Sequence, residues 1–257
     1  MSAVHVRHWP SDPARPALAI HCMMGSGRAF DPMARRLGGK VDLTAFDLPS
    51  HGRSEAWRPA GGEDYHTTVT RIAEGLLGTG PVDLIGHSLG GTVALRLAVA
   101  APQRVRSVTL IEPVLFAASR SGRALDSALS ALAAAGKMEE AARLFLDVWG
   151  APGGFEALPR SLQQAAVELM PLVLETDAAL SADAHGILRR GQLEGVTAPT
   201  LLIAGADSPA VMGEILDALA ARLPNARRAT VPGAGHMVPV THPTEVTELV
   251  AGHLDRS

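Results

Sequence analysis

Residues 84–91 read Leu-Ile-Gly-His-Ser-Leu-Gly-Gly, and this octapeptide constrains the fold more than any other part of the chain. An apolar run, Val82 to Ile85, precedes it, and a helical pattern, Thr92 to Ala101, follows it. Gly86-His87-Ser88-Leu89-Gly90 therefore lies between a strand and a helix, the context in which a very sharp turn presents a serine hydroxyl. Glycine is required at 86 and 90 because such a turn crowds backbone segments together and leaves no room for a Cβ. The helix opening behind Ser88 directs N–H groups without intrahelical partners toward any negative charge that develops there.

The rest of the chain repeats the same alternation. Leu18–Cys22 and Thr200–Ala204 are compact apolar runs that read as strands, Val4–Trp9 reads as a short edge strand, and Val41–Phe46, Val105–Ile111 and Arg227–Val231 read as strands. Helical patterns occupy Phe30–Leu37, Tyr65–Leu77, Gly213–Leu223 and Pro243–Leu254. Strand–helix alternation predicts an α/β fold, a mostly parallel sheet of about seven or eight strands covered on both faces. Residues 113–195 break the pattern. They contain no convincing strand, and helices are expected at Ala124–Ala135, Met138–Val148, Leu162–Leu174 and Asp183–Leu193. The domain expectation is thus a core of residues 1–112 and 196–257 with a helical cap, 113–195, inserted into it. Leu132, Met138, Phe145, Trp149, Phe155 and Met170 are the cap residues that either line a pocket or pack the cap onto the sheet.

A chain of 257 residues can bury a large core without covalent staples. The net charge of −3, with no basic run, gives no sign of a nucleic-acid partner. Cys22 is the sole cysteine, which excludes an intramolecular disulfide and a cysteine-based metal cluster. The N-terminal residues lack the apolar core of a signal peptide, and no apolar run reaches the length of a membrane span. A cytoplasmic location, with no membrane partner, is the expectation.

A serine hydroxyl is a weak nucleophile at neutral pH. It needs a base to accept its proton, and the base needs a partner that fixes its tautomer and stabilises its cation. The expected chain order is serine, then carboxylate, then histidine. Asp207, in Leu-Ile-Ala-Gly-Ala-Asp-Ser-Pro at the carboxyl end of an apolar strand, is the first choice for the acid. Glu112, in Thr-Leu-Ile-Glu-Pro113, is the alternative acid: it also ends a strand, earlier than is usual, yet within reach of the histidine. His236, in Pro-Gly-Ala-Gly-His-Met-Val-Pro, sits on a glycine-bearing loop ahead of the last helix and is the expected base. His87 is read as structural, and His21 and His51 as loop residues at strand ends. An oxyanion hole needs two backbone N–H groups, expected from Leu89, directly after the serine, and from Met23, in the loop after Leu18–Cys22.

These segments together resemble the α/β-hydrolase fold superfamily, within it the small single-domain esterase, lactonase and carbon–carbon hydrolase branch. The resemblance runs through Ile20-His-Cys-Met-Met-Gly-Ser-Gly27, Asp47-Leu-Pro-Ser-His-Gly-Arg-Ser54, the serine turn, Gly205-Ala-Asp207 and Gly235-His236. It implies Ser88, Asp207 and His236 as nucleophile, acid and base, and a cap inserted near Pro113. Two departures stand out: the family usually has His-Gly where this chain has His21-Cys22, and only one convincing strand precedes Leu18. A serine at the turn argues against the resembling groups that use a carboxylate nucleophile. The implied activity is serine hydrolysis of a small-molecule acyl substrate (a carboxylic ester, lactone or thioester) through an acyl-enzyme. Alternatives are carbon–carbon bond hydrolysis or a lyase step with the same triad, cofactor-free perhydrolase or haloperoxidase chemistry, and a non-catalytic ligand-binding protein of the same fold. The carbon–carbon alternative calls for a cap arginine against a substrate carboxylate, for which Arg120, Arg123, Arg143, Arg160, Arg189 and Arg190 are candidates. No cofactor and no metal are expected: Gly25-x-Gly27 has Phe30 where a dinucleotide fingerprint needs its third glycine, and no phosphate-loop or zinc-binding spacing is present.

Overall fold

The computed structural model describes residues 3–121 and 123–257. In chain order, the strands are β1 (Val6–Trp9), β2 (Pro16–Ile20), β3 (Asp42–Phe46), β4 (Val82–His87), β5 (Val105–Ile111), β6 (Thr200–Gly205) and β7 (Ala226–Val231). The α-helices are α1 (Asp31–Arg36), α2 (Tyr65–Leu76), α3 (Leu89–Ala100), α4 (Arg123–Ala134), α5 (Met138–Trp149), α6 (Arg160–Glu175), α7 (Asp177–Ser181), α8 (Ala210–Ala220), α9 (Val238–Thr241) and α10 (Pro243–Leu254). The strands form one open sheet in the order β1-β3-β2-β4-β5-β6-β7. Only β1 runs antiparallel to its neighbour, β3; every other pairing is parallel.

Side chains alternate between the faces of a strand, so the central strands feed two separate cores. Leu18, Ile20, Leu84, Leu202 and Ala204 enter one, beneath α2, α3 and α8. Ala17, Ala19, Ile85, Leu201 and Ile203 enter the other, beneath α1 and α10. That two-sided burial is why β4 and β6 read as continuous apolar runs. One buried charge interrupts the pattern. Asp83 of β4 is fully buried and accepts from Ser107 Oγ at 2.6 Å, Arg15 Nε at 2.9 Å and Arg106 Nη1 at 3.2 Å, which satisfies the carboxylate that burial would otherwise penalise.

Between β5 and β6 the described chain is helical, as expected, with one difference. Asp183–Leu193 is not a helix. The Asp183 carboxylate accepts both the Ile187 and Leu188 N–H groups at 2.8 Å, and Asp183, Gly186 and Gly191 all take positive φ. An aspartate that captures nearby backbone donors in this way competes directly with helix formation. The short α7 lies just before it instead. Helices α4, α5 and α6 enclose a third core of their own, containing Leu129, Ala141, Ala142, Phe155, Ala166 and Met170.

Candidate active site

The turn between β4 and α3 is as tight as the sequence requires. Ser88 sits at φ 55°, ψ −118°, a region that costs a non-glycine residue of order 1–3 kcal/mol and persists only where surroundings enforce it. The enforcement is visible. The Ser88 N–H donates to Ile111 O at 2.9 Å, and its carbonyl accepts the Gly91 N–H at 2.9 Å. A Cβ on Gly86 would collide with the Gly90 carbonyl, and one on Gly90 with the Ile20 carbonyl. Met24, next to Met23, and Glu112, directly after β5, also take positive φ, at 62° and 50°.

His236, on the loop after β7, brings Nε2 to 3.0 Å from Ser88 Oγ. Its Nδ1 lies 2.9 Å from Glu112 Oε2. A carboxylate can only accept, so Nδ1 carries the hydrogen and Nε2 is left as acceptor for the serine hydroxyl. Glu112 extends directly from the end of β5 and is completely buried. Its second oxygen, Oε1, accepts the Gly205 N–H at 2.7 Å and the Ser208 hydroxyl at 2.8 Å. The carboxylate is thus held by three donors.

Asp207 is not the partner of His236. It is exposed, and its own N–H donates to Ala234 O at 2.8 Å, which anchors the 205–208 loop to the loop that carries His236. The segment Gly205-Ala-Asp-Ser208 still serves the site, through the Gly205 N–H and the Ser208 hydroxyl that hold Glu112. The cause is geometric. β5 and β6 are adjacent and pair Ile111 with Ile203, so Glu112 leaves its strand beside the residues that precede Asp207 and points inward. Ser208 lies three positions past the end of β6, and no local sequence signal marks it as a partner of Glu112.

His87 also takes a part that its position did not advertise. Its Nε2 donates to the His236 carbonyl at 3.0 Å, tying the loop that carries His236 to the turn that carries Ser88. Burial, followed by the proximity of His236, pushes His87 down to about 3, so it stays neutral. Trp149 at the end of α5 stands edge-on to the His236 ring with centroids 4.8 Å apart.

Above Ser88 and His236 lies a cavity walled by Phe116, Leu129, Phe145, Trp149, Leu174 and Leu180. Of the residues expected as pocket or core, Phe145 and Trp149 face this cavity. Phe155 and Met170 are buried in the helices' own core, and Leu132 and Met138 pack against it. Polar groups gather on one part of the wall, where Ser181 Oγ donates to Asp126 at 2.9 Å. Among the described residues, no arginine or lysine lines the cavity. Arg143 instead pairs with Glu139 and Glu156 and lies over the Phe155 ring at 4.7 Å. The Arg123 side chain lies outside the described residues.

Met23 and Leu89 line the cavity together with Ser88. Leu89 is the first residue of α3, whose opening N–H groups have no intrahelical acceptor. Among the described residues, the Met23 N–H is engaged in no hydrogen bond. The neighbouring Cys22 thiol is buried, and burial pushes it up to about 12, so it remains a protonated packing group and not a nucleophile. Among the described residues, no helix is long and apolar enough to cross a membrane.

Comparison with known proteins agrees with this architecture. Residues 17–249 match the sequence model of the Alpha/beta hydrolase family. The chain is 32% identical to Lipase LipV of Mycobacterium tuberculosis, over 98% of this chain and 97% of that one. It is 31% identical to a Pimeloyl-[acyl-carrier protein] methyl ester esterase of Neisseria meningitidis, over 90% and 89% of the two chains. Among solved structures, a hydrolase from Pseudomonas aeruginosa superposes with a TM-score of 0.77 at 24% identity, covering 98% of this chain and 94% of that one. The family match across the sheet, the serine turn and the histidine loop places the chain in the alpha/beta hydrolase family, and it is a hydrolase.

Proposed function

We propose that the protein hydrolyses carboxylic esters or closely related acyl substrates, with Ser88 as nucleophile, His236 as general base and acid, and Glu112 as the orienting carboxylate. The observation that carries this reading is the chain of two hydrogen bonds, Ser88 Oγ to His236 Nε2 at 3.0 Å and His236 Nδ1 to Glu112 at 2.9 Å, opening onto an apolar cavity. As Ser88 Oγ bonds to the substrate carbonyl carbon, its proton passes to Nε2. The imidazolium so formed faces a buried carboxylate, which favours the charged form. The carbonyl oxygen becomes an oxyanion, stabilised by the Met23 and Leu89 N–H groups. His236 then gives its proton to the departing alkoxide, which leaves an acyl-Ser88, and a water activated by the same imidazole releases the acid.

The helical region 113–195 acts in this reading as a cap that supplies the apolar wall for the acyl group. That the similar proteins named above include a lipase and a methyl ester esterase supports an ester substrate. The absence of any cationic side chain on the described cavity wall weighs against a substrate held by its carboxylate, the arrangement the carbon–carbon alternative requires. The test is hydrolysis of p-nitrophenyl esters from acetate to decanoate by wild type and Ser88→Ala. Turnover that disappears in the variant is the expected result. Equal rates for the two proteins would end the proposal.

A further inference from the structure

The loop that follows β2 is held from behind by two buried histidines, and their hydrogen bonds bracket Met23. His21 Nε2 accepts the Leu48 N–H at 2.9 Å, so its Nδ1 carries the hydrogen and donates to Cys22 O at 2.7 Å. His51 is arranged in the same way. Its Nε2 accepts the Met24 N–H at 3.0 Å, and its Nδ1 donates to Pro49 O at 2.9 Å. Both rings are buried and stand 5.5 Å apart. The peptide groups before and after Met23 are therefore both fixed, by Cys22 O on one side and the Met24 N–H on the other. Met24 itself is forced to φ 62°, a conformation that a methionine adopts only under constraint. Among the described residues, the Met23 N–H is engaged in no hydrogen bond, and Met23 lines the cavity together with Ser88.

Resting on the hydrolase reading above, we propose that His51 is a positioning residue for the oxyanion hole: by accepting the Met24 N–H through Nε2, it holds the 22–24 turn so that the Met23 N–H points at the developing oxyanion. His51 touches neither substrate nor Ser88. Its effect passes entirely through one backbone hydrogen bond and the left-handed turn that this bond stabilises. Only a neutral imidazole with the hydrogen on Nδ1 can do this, because Met24 offers a donor and Nε2 must be an acceptor. Burial, the largest cause, holds His51 below its ordinary value, in keeping with that neutral state. Tyr65 locks the tautomer from the other side: its hydroxyl donates to the same Pro49 carbonyl at 2.8 Å and stands 3.2 Å from His51 Nδ1. The motif Asp47-Leu-Pro-Ser-His-Gly-Arg-Ser54 thereby gains a catalytic consequence. The Asp47 carboxylate meanwhile fixes the Gly27 and Arg53 N–H groups at 2.7 and 2.9 Å, anchoring the far ends of both loops.

The experiment compares wild type, His51→Leu, His51→Gln and Tyr65→Phe. For each, kcat and KM are measured on a p-nitrophenyl ester, together with inhibition by phenylboronic acid, whose tetrahedral serine adduct places a negatively charged oxygen in the oxyanion hole, and thermal unfolding. Loss of one oxyanion donor typically lowers kcat on the order of 10²–10³-fold, and a donor misaimed but still present should lose part of that. The expected result for His51→Leu is a fall in kcat of roughly 10–100-fold. KM should change by no more than about twofold and boronate affinity should fall in step with kcat. His51→Gln, which keeps an acceptor, should restore much of both. A folded His51→Leu protein whose kcat and boronate affinity stay within about twofold of wild type overturns the proposal, as does a fall in kcat with boronate affinity unchanged. If His51→Leu does not fold, Tyr65→Phe decides. A loss of about threefold or more in both readouts supports the proposal, and no loss in either overturns it. A wild type no faster than Ser88→Ala overturns the hydrolase reading and this proposal together, whereas an active wild type beside an unaffected His51→Leu overturns this proposal alone.

Discussion

Glu112 Oε2 and His236 Nδ1 lie 2.9 Å apart although 124 residues separate them in the chain. The contact joins the end of β5 to the loop after β7, spanning β6, whose terminal Gly205 contributes an N–H to the same carboxylate. The Glu112 carboxylate is therefore seated across three neighbouring strands.

The first prediction concerns this pair. Glu112→Gln keeps a hydrogen-bond acceptor but removes the charge that faces the imidazolium, and it permits the wrong tautomer. Loss of the charged partner in a serine–histidine–carboxylate site typically costs about 10⁴ in kcat, so a drop on the order of 10²–10⁴ is expected for esters. Asp207→Asn should remain within about twofold of wild type, since that side chain is exposed and His236 is already paired. Steady-state kinetics on both variants decides. The opposite ranking would return the role of the acid to Asp207.

Which carboxylate meets His236 is not legible in local sequence. Strands with two buried faces, such as β4 and β6, are legible because, Asp83 aside, their polar residues, His87 and Thr200, fall at strand ends. The serine turn and the histidine loop are legible because their glycines and spacing are local signals. Two carboxylates that both end apolar strands are equivalent on those terms. What separates them is the register of β5 on β6 and which way each chain exits its strand, and neither is written in a short window. Asp183–Leu193 departs from its sequence pattern for a related reason: its apolar spacing suits a helix, but one carboxylate takes two backbone donors. Phe155 and Met170 were equally ambiguous, because helices that form a core among themselves use the same residue types as a pocket wall.

Glycine substitutions should separate the site from the scaffold. Ala at position 90 would drive a Cβ into the Ile20 carbonyl at the base of the serine turn. Overpacking of this kind costs about 1–3 kcal/mol or more, and here it also displaces Ser88. Gly213 lies within α8, and a Cβ there meets nothing within 4 Å. Gly213→Ala should therefore stabilise the fold by about 0.5–1 kcal/mol, through the lower conformational entropy of the unfolded chain. Urea unfolding of both variants tests the contrast. A stabilising Gly90→Ala or a destabilising Gly213→Ala would contradict the packing described.

Stability should fall on the acid side of neutrality. Burial, the largest cause in each case, pushes His21, His66 and His87 from 6.5 down to about 3. Below pH 6.5 the unfolded chain binds protons at these positions and the folded chain does not, so unfolding takes up protons and becomes more favourable as pH drops. The stability these groups contribute is fully present above about 6.5 and is lost as pH falls from there toward about 3. Each unmatched proton steepens the slope by about 1.4 kcal/mol per pH unit. Urea midpoints that decline between pH 6.5 and 4.5 with a slope of more than one proton are expected. A flat profile across that window would mean that these imidazoles are not buried as neutral groups.

The cavity wall should set acyl length. Phe145 and Leu174 face the cavity without being fully buried, so changing them alters its depth at modest cost to the fold. Each methylene that gains or loses burial is worth about 0.8 kcal/mol, roughly fourfold in kcat/KM when realised in the transition state. Phe145→Ala should move the optimum of a p-nitrophenyl ester series toward longer chains, with gains confined to the long esters. Leu174→Trp should move it toward shorter chains and leave acetate hydrolysis close to wild type, because Ser88, His236 and Glu112 are untouched. Parallel losses on every ester in both variants would show instead that these side chains support the site generally, and that the acyl group lies elsewhere.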